Sequence, residues 1–383
     1  MVITDRIRYI GVTDRNIRLF EGLYEIERGM SYNSYVIFDE KTVVMDSVEG
    51  EFVDEWMENL QSVLKGKTPD YLVVQHMEPD HSAGIFRFAQ QYPSVKIVAS
   101  DKAFVIMRQM FGTGFEDRRM VVKDNDRLPI GKGELVFFSA PMIHWPEVIM
   151  TYESTSNTFF SADAFGKFGA WDAQEEWAAE ASRYYFGIVG KYGRQVQNLL
   201  KKVSHLQIDA ICPLHGPVLT ENLSYYLGLY DKWSSYTPEL DGVLIAYTSV
   251  YGNTERAAEK LAELLKRKGR KVQMCNLSVG DVSGAISDAF RYSRLVLATT
   301  TYNSGIFPTM ENFLRGLLGR NFQNRTVGLI ENGSWAPFAA QALRKLLQDV
   351  PGISFEETVV TVRSALSQES EAQLEMLAQE MSK

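Results

Sequence analysis

The chain has 383 residues, more than one hydrophobic core usually organises, and this length predicts two domains. Hydrophobic residues make up 45% of it and charged residues 23%, a composition that excludes a disordered chain and indicates a globular protein. The formal net charge of -8 argues against a general affinity for nucleic acids or anionic membranes.

Three features predict a cytoplasmic protein. The two cysteines, Cys212 and Cys275, are too few for a disulfide framework. The charged residues Asp5, Arg6 and Arg8 interrupt the amino terminus, which therefore does not resemble a signal peptide. No apolar run approaches the roughly 20 residues needed to span a bilayer, so we expect no membrane-spanning segment.

Strand-like segments, hairpins and helices mix irregularly in the amino-terminal half. Apolar segments at residues 7–12, 35–38 and 42–46 predict strands, and the last two are spaced as a hairpin. Helical spacing of apolar residues predicts a helix over residues 51–64, and residues 71–74 predict a buried strand. Such a mixture is typical of an α+β sandwich whose sheets are covered by helices.

A dense cluster of polar side chains follows the strand predicted at residues 71–74. It contains two imidazoles and two carboxylates: His76, Glu78, Asp80 and His81. Neither one helix face nor one strand face would present all four together, and Pro79 disfavours a helix, so we expect an irregular loop. Imidazole and carboxylate are ligands of zinc and of non-haem iron. The segment therefore predicts a metal site.

Three later strands deliver further ligand types just past their carboxyl ends. His144 follows the strand predicted at residues 134–143, Asp163 the strand near 158–161, and His215 the strand near 208–211. Each residue alone would more often have a structural role, such as capping or packing. Strand ends can project side chains into one cleft, so together with the first cluster they strengthen the prediction of a metal site.

Two other residues near these segments are open to interpretation. Cys212 lies three residues before His215 and could be a soft ligand, but we interpret it as a buried structural thiol. The fifth histidine, His205, lies in a charged helical stretch and is interpreted as an exposed residue without a role.

The order of the ligand-type residues resembles the metallo-β-lactamase superfamily. The first segment reads H-x-E-x-D-H, where that superfamily usually has H-x-H-x-D-H, and a histidine, an aspartate and a histidine follow. Glu78 in place of the second histidine is the mark of the flavodiiron proteins. Residues 31–35, 144–146 and 215–217 are also similar to that family, and the resemblance covers most of residues 1–235. It implies a metallo-β-lactamase-like αββα sandwich.

The resemblance also implies a pair of irons. It assigns three residues to each iron and one bridge: His76, Glu78 and His144; Asp80, His81 and His215; and Asp163 between them. Replacing an imidazole by a carboxylate adds negative charge and a hard oxygen donor, which favours iron that changes oxidation state over zinc. Seven protein ligands over two metals would leave positions open for a small molecule.

The carboxy-terminal part has a more regular pattern, in which strands and helices alternate. Five strands are predicted, at residues 242–247, 271–274, 295–298, 327–330 and 358–361. This alternation is typical of an α/β fold with a doubly wound parallel sheet. Residues 230–241 are interpreted as a linker, so the predicted domains are residues 1–238 and 239–383.

A hydroxyl-rich loop over residues 248–254 follows the first of these strands. It precedes a predicted helix, whose free N–H groups would suit a phosphate dianion. The loop lacks the spaced glycines of a G-x-G-x-x-G fingerprint and the ending of a Walker loop. Its sequence, Thr-Ser-x-Tyr-Gly-Asn-Thr, resembles the FMN phosphate loop of flavodoxins, and residues 242–383 match that family in length and layout.

The flavodoxin resemblance implies that two later strand ends hold the isoalloxazine ring. The loop at residues 332–336 departs from the Gly-Ser-x-Gly-Trp form common in these proteins. The candidate FMN contacts are the residues of the three loops: Thr248, Ser249, Val250, Tyr251, Gly252, Asn253, Thr254, Thr300, Thr301, Tyr302, Asn303, Gly305, Asn332, Gly333, Ser334, Trp335 and Ala336.

Together the two resemblances imply a minimal flavodiiron protein that reduces dioxygen to water, nitric oxide to nitrous oxide, or both. FMN would carry electrons from an external donor: rubredoxin, a reduced deazaflavin or a flavoprotein reductase that uses a pyridine nucleotide. The sequence contains no rubredoxin-like C-x-x-C pair. The family further implies a head-to-tail homodimer or a dimer of dimers. The sequence does not distinguish between the two gases.

Two rival classes stay open. One is a zinc hydrolase of the lactamase superfamily fused to a flavodoxin, which Glu78 disfavours. The other is a non-catalytic electron carrier or gas sensor with a structural metal.

Two residues are candidates for a place beside the metal ligands. Many family members have a histidine in a Phe-His-Gly segment near the metals, whereas this chain has Glu21 between Phe20 and Gly22. A carboxylate there would alter hydrogen bonding and proton supply. Tyr192 is the candidate for a hydroxyl near the metals.

Overall fold

The computed structural model describes residues 1–173 and 176–383. It divides into two compact units, Met1–Asp231 and Lys232–Lys383. The division lies a few residues before the domain boundary predicted at 238/239, which stays a prediction. No helix among the described residues is long and apolar enough to cross a membrane.

The described residues of the amino-terminal unit form two main sheets and two small two-stranded sheets. Its strands are β1 (Ile7–Tyr9), β2 (Val12–Asp14), β3 (Leu19–Phe20), β4 (Tyr24–Glu25), β5 (Met30–Tyr32), β6 (Tyr35–Phe38), β7 (Thr42–Met45), β8 (Tyr71–Val73), β9 (Lys96–Ala99), β10 (Arg119–Val121), β11 (Arg127–Pro129), β12 (Glu134–Ser139), β13 (Ile149–Glu153), β14 (Thr158–Phe160) and β15 (Ala210–Cys212). Its helices are α1 (Val53–Leu64), α2 (Pro79–Ser82), α3 (Ile85–Gln91), α4 (Asp101–Phe111), α5 (Trp177–Ile188), α6 (Gly193–Val203) and α7 (Leu223–Ser234).

The two main sheets face each other. Strand order is β1-β6-β7-β8-β9-β10 in the first sheet and β11-β12-β13-β14-β15 in the second, and the two small sheets pair β2 with β5 and β3 with β4. Side chains alternate along β7, so Val43 joins the core between the sheets with Phe137, while Val44 joins a second core with Trp56 and Phe88 of the covering helices. The αββα sandwich expected from the sequence is therefore confirmed.

The carboxy-terminal unit has one parallel sheet with helices between its strands. Its elements are β16 (Leu240–Tyr247), α8 (Asn253–Arg267), β17 (Lys271–Asn276), α9 (Val282–Arg291), β18 (Tyr292–Tyr302), β19 (Gly305–Ile306), α10 (Pro308–Gly319), β20 (Thr326–Asn332), α11 (Ala339–Leu347), β21 (Ser354–Val362) and α12 (Gln368–Glu380). The strands in the order β17-β16-β18-β20-β21 are all parallel. The chain adds β17 on one side of β16 and the later strands on the other side, so the strand order reverses at β16. Doubly wound sheets bind ligands where the order reverses, at the carboxyl ends of the strands. The predicted flavodoxin-like sheet is confirmed.

One predicted linker is shorter than expected. Helix α7 continues to Ser234, and β16 starts at Leu240, so only the residues between them connect helix and strand. The prediction of a linker from residue 230 is wrong because Tyr230 belongs to the core, where its ring stacks on Phe165 with centroids 4.0 Å apart. A linker composition could not reveal this long-range contact.

Candidate metal centre and flavin pocket

The first cluster of ligand-type residues begins as a loop and ends as one turn of helix. His76 follows β8, and Glu78 precedes α2, whose first helical residue is Pro79. The expectation that Pro79 excludes a helix is wrong, because proline has no N–H to lose at the first helical position. Helix α2 then carries Asp80 and His81 on successive positions.

The second sheet supplies the remaining residues. His144 lies in the connection from β12 to β13, Asp163 follows β14, and His215 follows β15. The structure brings all seven predicted residues together. Their ligand atoms form two groups, in each of which they lie within 4.8 Å of one another: His76, Glu78, His144 and Asp163; and Asp80, His81 and His215.

Asp163 stands between the two groups and faces each with a different oxygen. Its Oδ2 lies 3.2 Å from Nε2 of His76 and 2.9 Å from Nε2 of His144. Its Oδ1 lies 3.2 Å from Nε2 of His81 and 3.8 Å from Nε2 of His215. This is the arrangement expected of a carboxylate that bridges two metal ions.

The buried groups of this cluster suit a pair of cations. Apart from ion-pair contacts with the histidines, both oxygens of Asp163 and both of Asp80 are buried without a hydrogen-bond partner among the described residues. The Nε2 atoms of His81 and His215 face each other at 3.0 Å. Burying unpaired carboxylates is costly, and metal ions between these groups would offset that cost. The residues therefore fit two metals.

The electrostatics of these side chains lead to the same conclusion. Burial alone would raise the pKa of Asp163, but His76 and His81 hold it well below its usual range. Burial alone would lower the pKa of His144, but the adjacent carboxylates of Asp163 and Glu78 raise it to about 9. The carboxylates therefore favour positive charge on the groups beside them, and metal ions would supply that charge.

The two candidates beside the ligands have different surroundings. Glu21 lies at the tip of the β3–β4 hairpin, where Glu21 and Gly22 have positive φ angles of 50° and 67°. Although much of this residue is exposed, burial of its carboxylate, followed by repulsion from Glu78, raises its pKa to about 7.

Tyr184 on α5 and Tyr32 on β5 both lie beside a ligand-type histidine, and neither was predicted. The Tyr184 ring is buried, and its centroid is 5.5 Å from that of His215. Burial and the nearby carboxylate of Asp163 raise its pKa well above the usual value. Tyr192 ends the short 3-10 helix Gly190–Tyr192, and its place near the metals stays a prediction. Several aromatic residues share α5, and helical spacing alone cannot show which of them faces a histidine from another strand.

Cys212 is a structural thiol, as interpreted. It is buried in the core between the two sheets, and burial raises its pKa well above the usual range. Neither group of ligand atoms includes it.

The carboxy-terminal unit has a cavity of ≈ 840 Å³ at the strand ends. Most of the predicted FMN contacts line it: Val250, Tyr251, Asn253, Thr254, Thr300, Thr301, Tyr302, Asn303, Asn332, Gly333, Ser334, Trp335 and Ala336. Three further lining residues, Ser304, Phe338 and Ser364, were not predicted as contacts. Ser364 follows the last parallel strand, so the strand-end rule could have found it.

Four predicted contacts do not line this cavity: Thr248, Ser249, Gly252 and Gly305. The Thr248 hydroxyl is buried and pairs with the Thr299 hydroxyl at 2.7 Å, so it supports the loop from inside. Ser249 accepts a hydrogen bond from the Glu255 N–H of α8 at 3.3 Å. Gly252 precedes α8 with a φ of 84°, a conformation that glycine adopts at little cost.

The amino terminus of α8 suits a phosphate. Gly252 offers no side chain to cap the helix. Apart from the Glu255 N–H, which Ser249 accepts, the first N–H groups of α8 therefore stay available for an anion. Thr254 is tied to the neighbouring loops, because its hydroxyl lies 3.2 Å from the Thr300 hydroxyl and accepts from Asn332 Nδ2 at 3.3 Å. The three loops predicted to hold FMN thus form one hydrogen-bonded rim.

The fold and the two sites define a class of protein: a metallo-β-lactamase-like metal domain joined to a flavodoxin-like domain. The family described as ODP family beta lactamase matches residues 30–216, and the flavodoxin family matches residues 245–375. The anaerobic nitric oxide reductase flavorubredoxin of Escherichia coli O1:K1 / APEC is 30% identical over 362 residues, 91% of this chain and 75% of its own length. The chain belongs to the flavodiiron proteins, a family of oxidoreductases, and the predicted family, fold and cofactors, FMN and a diiron site, are confirmed.

Solved structures agree with this assignment. Rubredoxin oxygen:oxidoreductase from the anaerobe Desulfovibrio gigas superposes with a TM-score of 0.91 at 26% identity, covering 100% of this chain and 97% of that one. The flavodiiron protein of Giardia intestinalis has a TM-score of 0.91 at 23% identity, covering 99% and 95%, and supports the fold alone.

Proposed function

We propose that this protein reduces dioxygen to water, nitric oxide to nitrous oxide, or both, at a pair of irons, with electrons supplied through FMN. The observation that carries the proposal is the position of Asp163, whose two oxygens face two separate groups of ligand atoms. Glu78 supports iron over zinc, because it supplies a carboxylate where a zinc hydrolase of this superfamily has an imidazole. The relatives named above are a nitric oxide reductase and an oxygen oxidoreductase.

The protein would position the metal ions and shield them from water. Six residues would hold the irons, His76, Glu78 and His144 on one side and Asp80, His81 and His215 on the other, and Asp163 would bridge them. The irons would supply electrons and open positions for a gas molecule. His215 is oriented by the backbone carbonyl of Ser31, which lies 2.7 Å from its Nδ1. Buried aromatic residues pack around it, and the ring centroids of Phe20 and Tyr184 each lie 5.5 Å from that of His215. This packing limits the access of water to the histidine.

The flavin would occupy the cavity at the strand ends of the carboxy-terminal unit. Its phosphate would lie against the amino terminus of α8, and its ring beside the loops that carry Tyr302 and Trp335. Tyr302 is 46% exposed and Trp335 88% exposed, so both rings are free to cover a flavin.

The direct test is cofactor analysis with gas turnover. We expect about two irons and one FMN per chain, and consumption of oxygen or nitric oxide once a chemical reductant reduces the flavin. Tightly bound zinc with hydrolytic activity would support the rival hydrolase instead. Iron and FMN without gas consumption would support an electron carrier or sensor. Either result would contradict the proposal.

We propose in addition that the protein is cytoplasmic and receives electrons from a separate carrier. Rubredoxin, a reduced deazaflavin and a flavoprotein reductase are the candidates. Mixing the oxidised protein with each reduced carrier in a stopped-flow instrument distinguishes them by the rate of flavin reduction. If none reduces the flavin faster than a matched small reductant does, the idea of a dedicated donor fails.

We also propose a head-to-tail homodimer, or a dimer of dimers, in which the flavin of one chain serves the irons of another. An Asp163→Asn chain would lack the bridging carboxylate, and an Asn253→Asp chain would repel the phosphate of FMN. We expect mixed oligomers of the two inactive variants to recover gas reduction. Sedimentation that shows a monomer, or mixed oligomers without activity, would contradict this arrangement.

A further inference from the structure

Glu147 is a buried carboxylate outside the seven proposed ligands. It lies in the connection from β12 to β13 and is 1% exposed. Its Oε1 lies 2.8 Å from Nδ1 of His76 and accepts the backbone N–H of Met77 at 2.9 Å. Its backbone carbonyl accepts the hydroxyl of Ser100 at 2.7 Å. The backbone and the carboxylate of Glu147 are therefore both held by hydrogen bonds, and the carboxylate contacts Nδ1 of His76, the ring nitrogen that does not face the other ligands.

The three fully buried ligand histidines differ in what faces their Nδ1 atoms. His76 faces the Glu147 carboxylate, whereas His215 faces a neutral backbone carbonyl, that of Ser31. Nδ1 of His81 is buried and has no hydrogen-bond partner among the described residues. The hydrogen-bond acceptors at Nδ1 of the ligand histidines therefore differ between the two groups that Asp163 faces.

This difference has a chemical consequence. A carboxylate that accepts the Nδ1 proton fixes the tautomer with the Nε2 lone pair directed at the metal, and it makes the imidazole a stronger donor. Glu147 also brings negative charge to the side of the cluster that already has Glu78. Its second oxygen, Oε2, is buried without a hydrogen-bond partner among the described residues, so the Met77 N–H is the one donor besides His76 that the described residues offer to this carboxylate.

We propose that Glu147 is a positioning residue that makes the two metal positions unequal. The position formed by His76, Glu78 and His144 binds iron first and more tightly, and the position formed by Asp80, His81 and His215 fills second. This inference rests on the proposed function, since it concerns the same two irons, and it adds an order of loading and a residue that sets the order.

The test is an anaerobic titration of the metal-free protein with ferrous iron. We expect two resolved binding steps in the natural protein. Glu147→Gln keeps an oxygen acceptor of the same size but removes the charge, and it should weaken the first step about 10-fold or more and leave the second unchanged. Glu147→Asp keeps the charge and should restore part of the loss.

Mössbauer spectroscopy of the loaded protein gives a second readout. We expect Glu147→Gln to change the signal of one iron and leave the other as it is. In an Asp80→Asn background, which weakens the second position, the remaining step should still depend on Glu147. That result would assign the effect to the His76 side.

Glu153→Gln is the matched control. Glu153 is another fully buried carboxylate, at the end of β13. It accepts the N–H groups of Thr155 and Ser156, both at 2.8 Å, and contacts no histidine of the described residues. Its substitution should leave both binding steps and the spectrum unchanged. Circular dichroism before each titration checks that the variants are folded.

Three results would overturn the inference: an equal loss in both steps, an unchanged first step in Glu147→Gln, or the same loss in Glu153→Gln. Its failure is distinguishable from failure of the proposed function. If the natural protein binds two irons and reduces gas but Glu147→Gln loads in the same way, only the inference fails. If the natural protein binds no iron, the proposed function fails as well.

Discussion

At the scale of single residues, Glu78 is the ligand-type residue that best indicates which metal the site prefers. It lies 3.0 Å from Nε2 of His144 and 3.3 Å from Nε2 of His76, in the group that shares Oδ2 of Asp163. Its carboxylate gives this group a second negative charge. Hard oxygen donors and added negative charge stabilise ferric iron, whereas an imidazole at the same place suits zinc.

Glu78→His should therefore move metal preference from iron towards zinc. We expect the iron bound after growth in medium with both metals to fall about 10-fold relative to zinc, with loss of gas reduction. Elemental analysis measures the ratio. Glu78→Asp keeps the carboxylate and should retain mostly iron, and equal zinc in both variants would refute the role given to charge.

Glu21 is a second residue whose identity bears on the choice of gas. The turn Phe20–Leu23 brings its carboxylate close enough to Glu78 for repulsion between them. Our hypothesis is that this carboxylate affects hydrogen bonding and proton supply at the metals. Glu21→His should then alter the ratio of oxygen turnover to nitric oxide turnover several-fold, measured with gas electrodes. If both rates match those of the natural protein, the hypothesis is wrong.

At the scale of elements, function is concentrated where strands end. In the amino-terminal unit, β8, β14 and β15 each deliver a ligand-type residue within a few positions of their last residue. In the carboxy-terminal unit, the ends of β16, β18 and β20 carry the loops around the cavity. Strands hold their ends rigidly through backbone hydrogen bonds, so side chains placed there keep their positions.

Thr254→Val tests the hydrogen-bonded rim of the flavin pocket. It removes the hydroxyl that links Thr300 and Asn332, and two weak hydrogen bonds correspond to about 10-fold in FMN affinity. Flavin fluorescence during titration of the FMN-free protein measures this affinity. Thr326→Val makes the same change at the opposite end of the sheet and should have no effect. Equal losses in both variants would contradict the role of the rim.

At the scale of the whole molecule, the structure contains two units with separate cores. Arg325 helps to close the second unit. It is 2% exposed and donates to the backbone carbonyls of Tyr236, at 2.9 Å, and of Phe290. Burial lowers its pKa to about 10. Its guanidinium links the segment before β16 to the end of α9 through these backbone hydrogen bonds.

Arg325→Met should destabilise the flavodoxin-like unit. Loss of the guanidinium removes these buried hydrogen bonds, a cost of about 2–4 kcal/mol in the free energy of unfolding. Urea unfolding, followed by the fluorescence of the released FMN, measures this free energy. Arg267→Met removes an exposed arginine whose partner Glu263 is also exposed, and it should change little. A similar loss in both variants would show that general charge, and not this buried cation, is responsible.

The sequence by itself determined the two folds, the family and the set of ligand-type residues. Apolar periodicity is a local signal of strands and helices, and the four polar residues after β8 are adjacent in the chain, so their chemistry can be interpreted without coordinates. The order of residues after three further strands was sufficient to associate His144, Asp163 and His215 with that cluster.

Only the tertiary structure decided how individual side chains are used. The hydroxyl of Thr248 pairs with that of Thr299, the ring of Tyr184 lies beside His215, and the carboxylate of Glu147 contacts Nδ1 of His76. Each of these contacts joins segments distant in the chain, and their partners depend on how sheets and helices pack. Residue type and spacing carry no information about such pairs, so the ligands could be predicted but the groups that orient them could not.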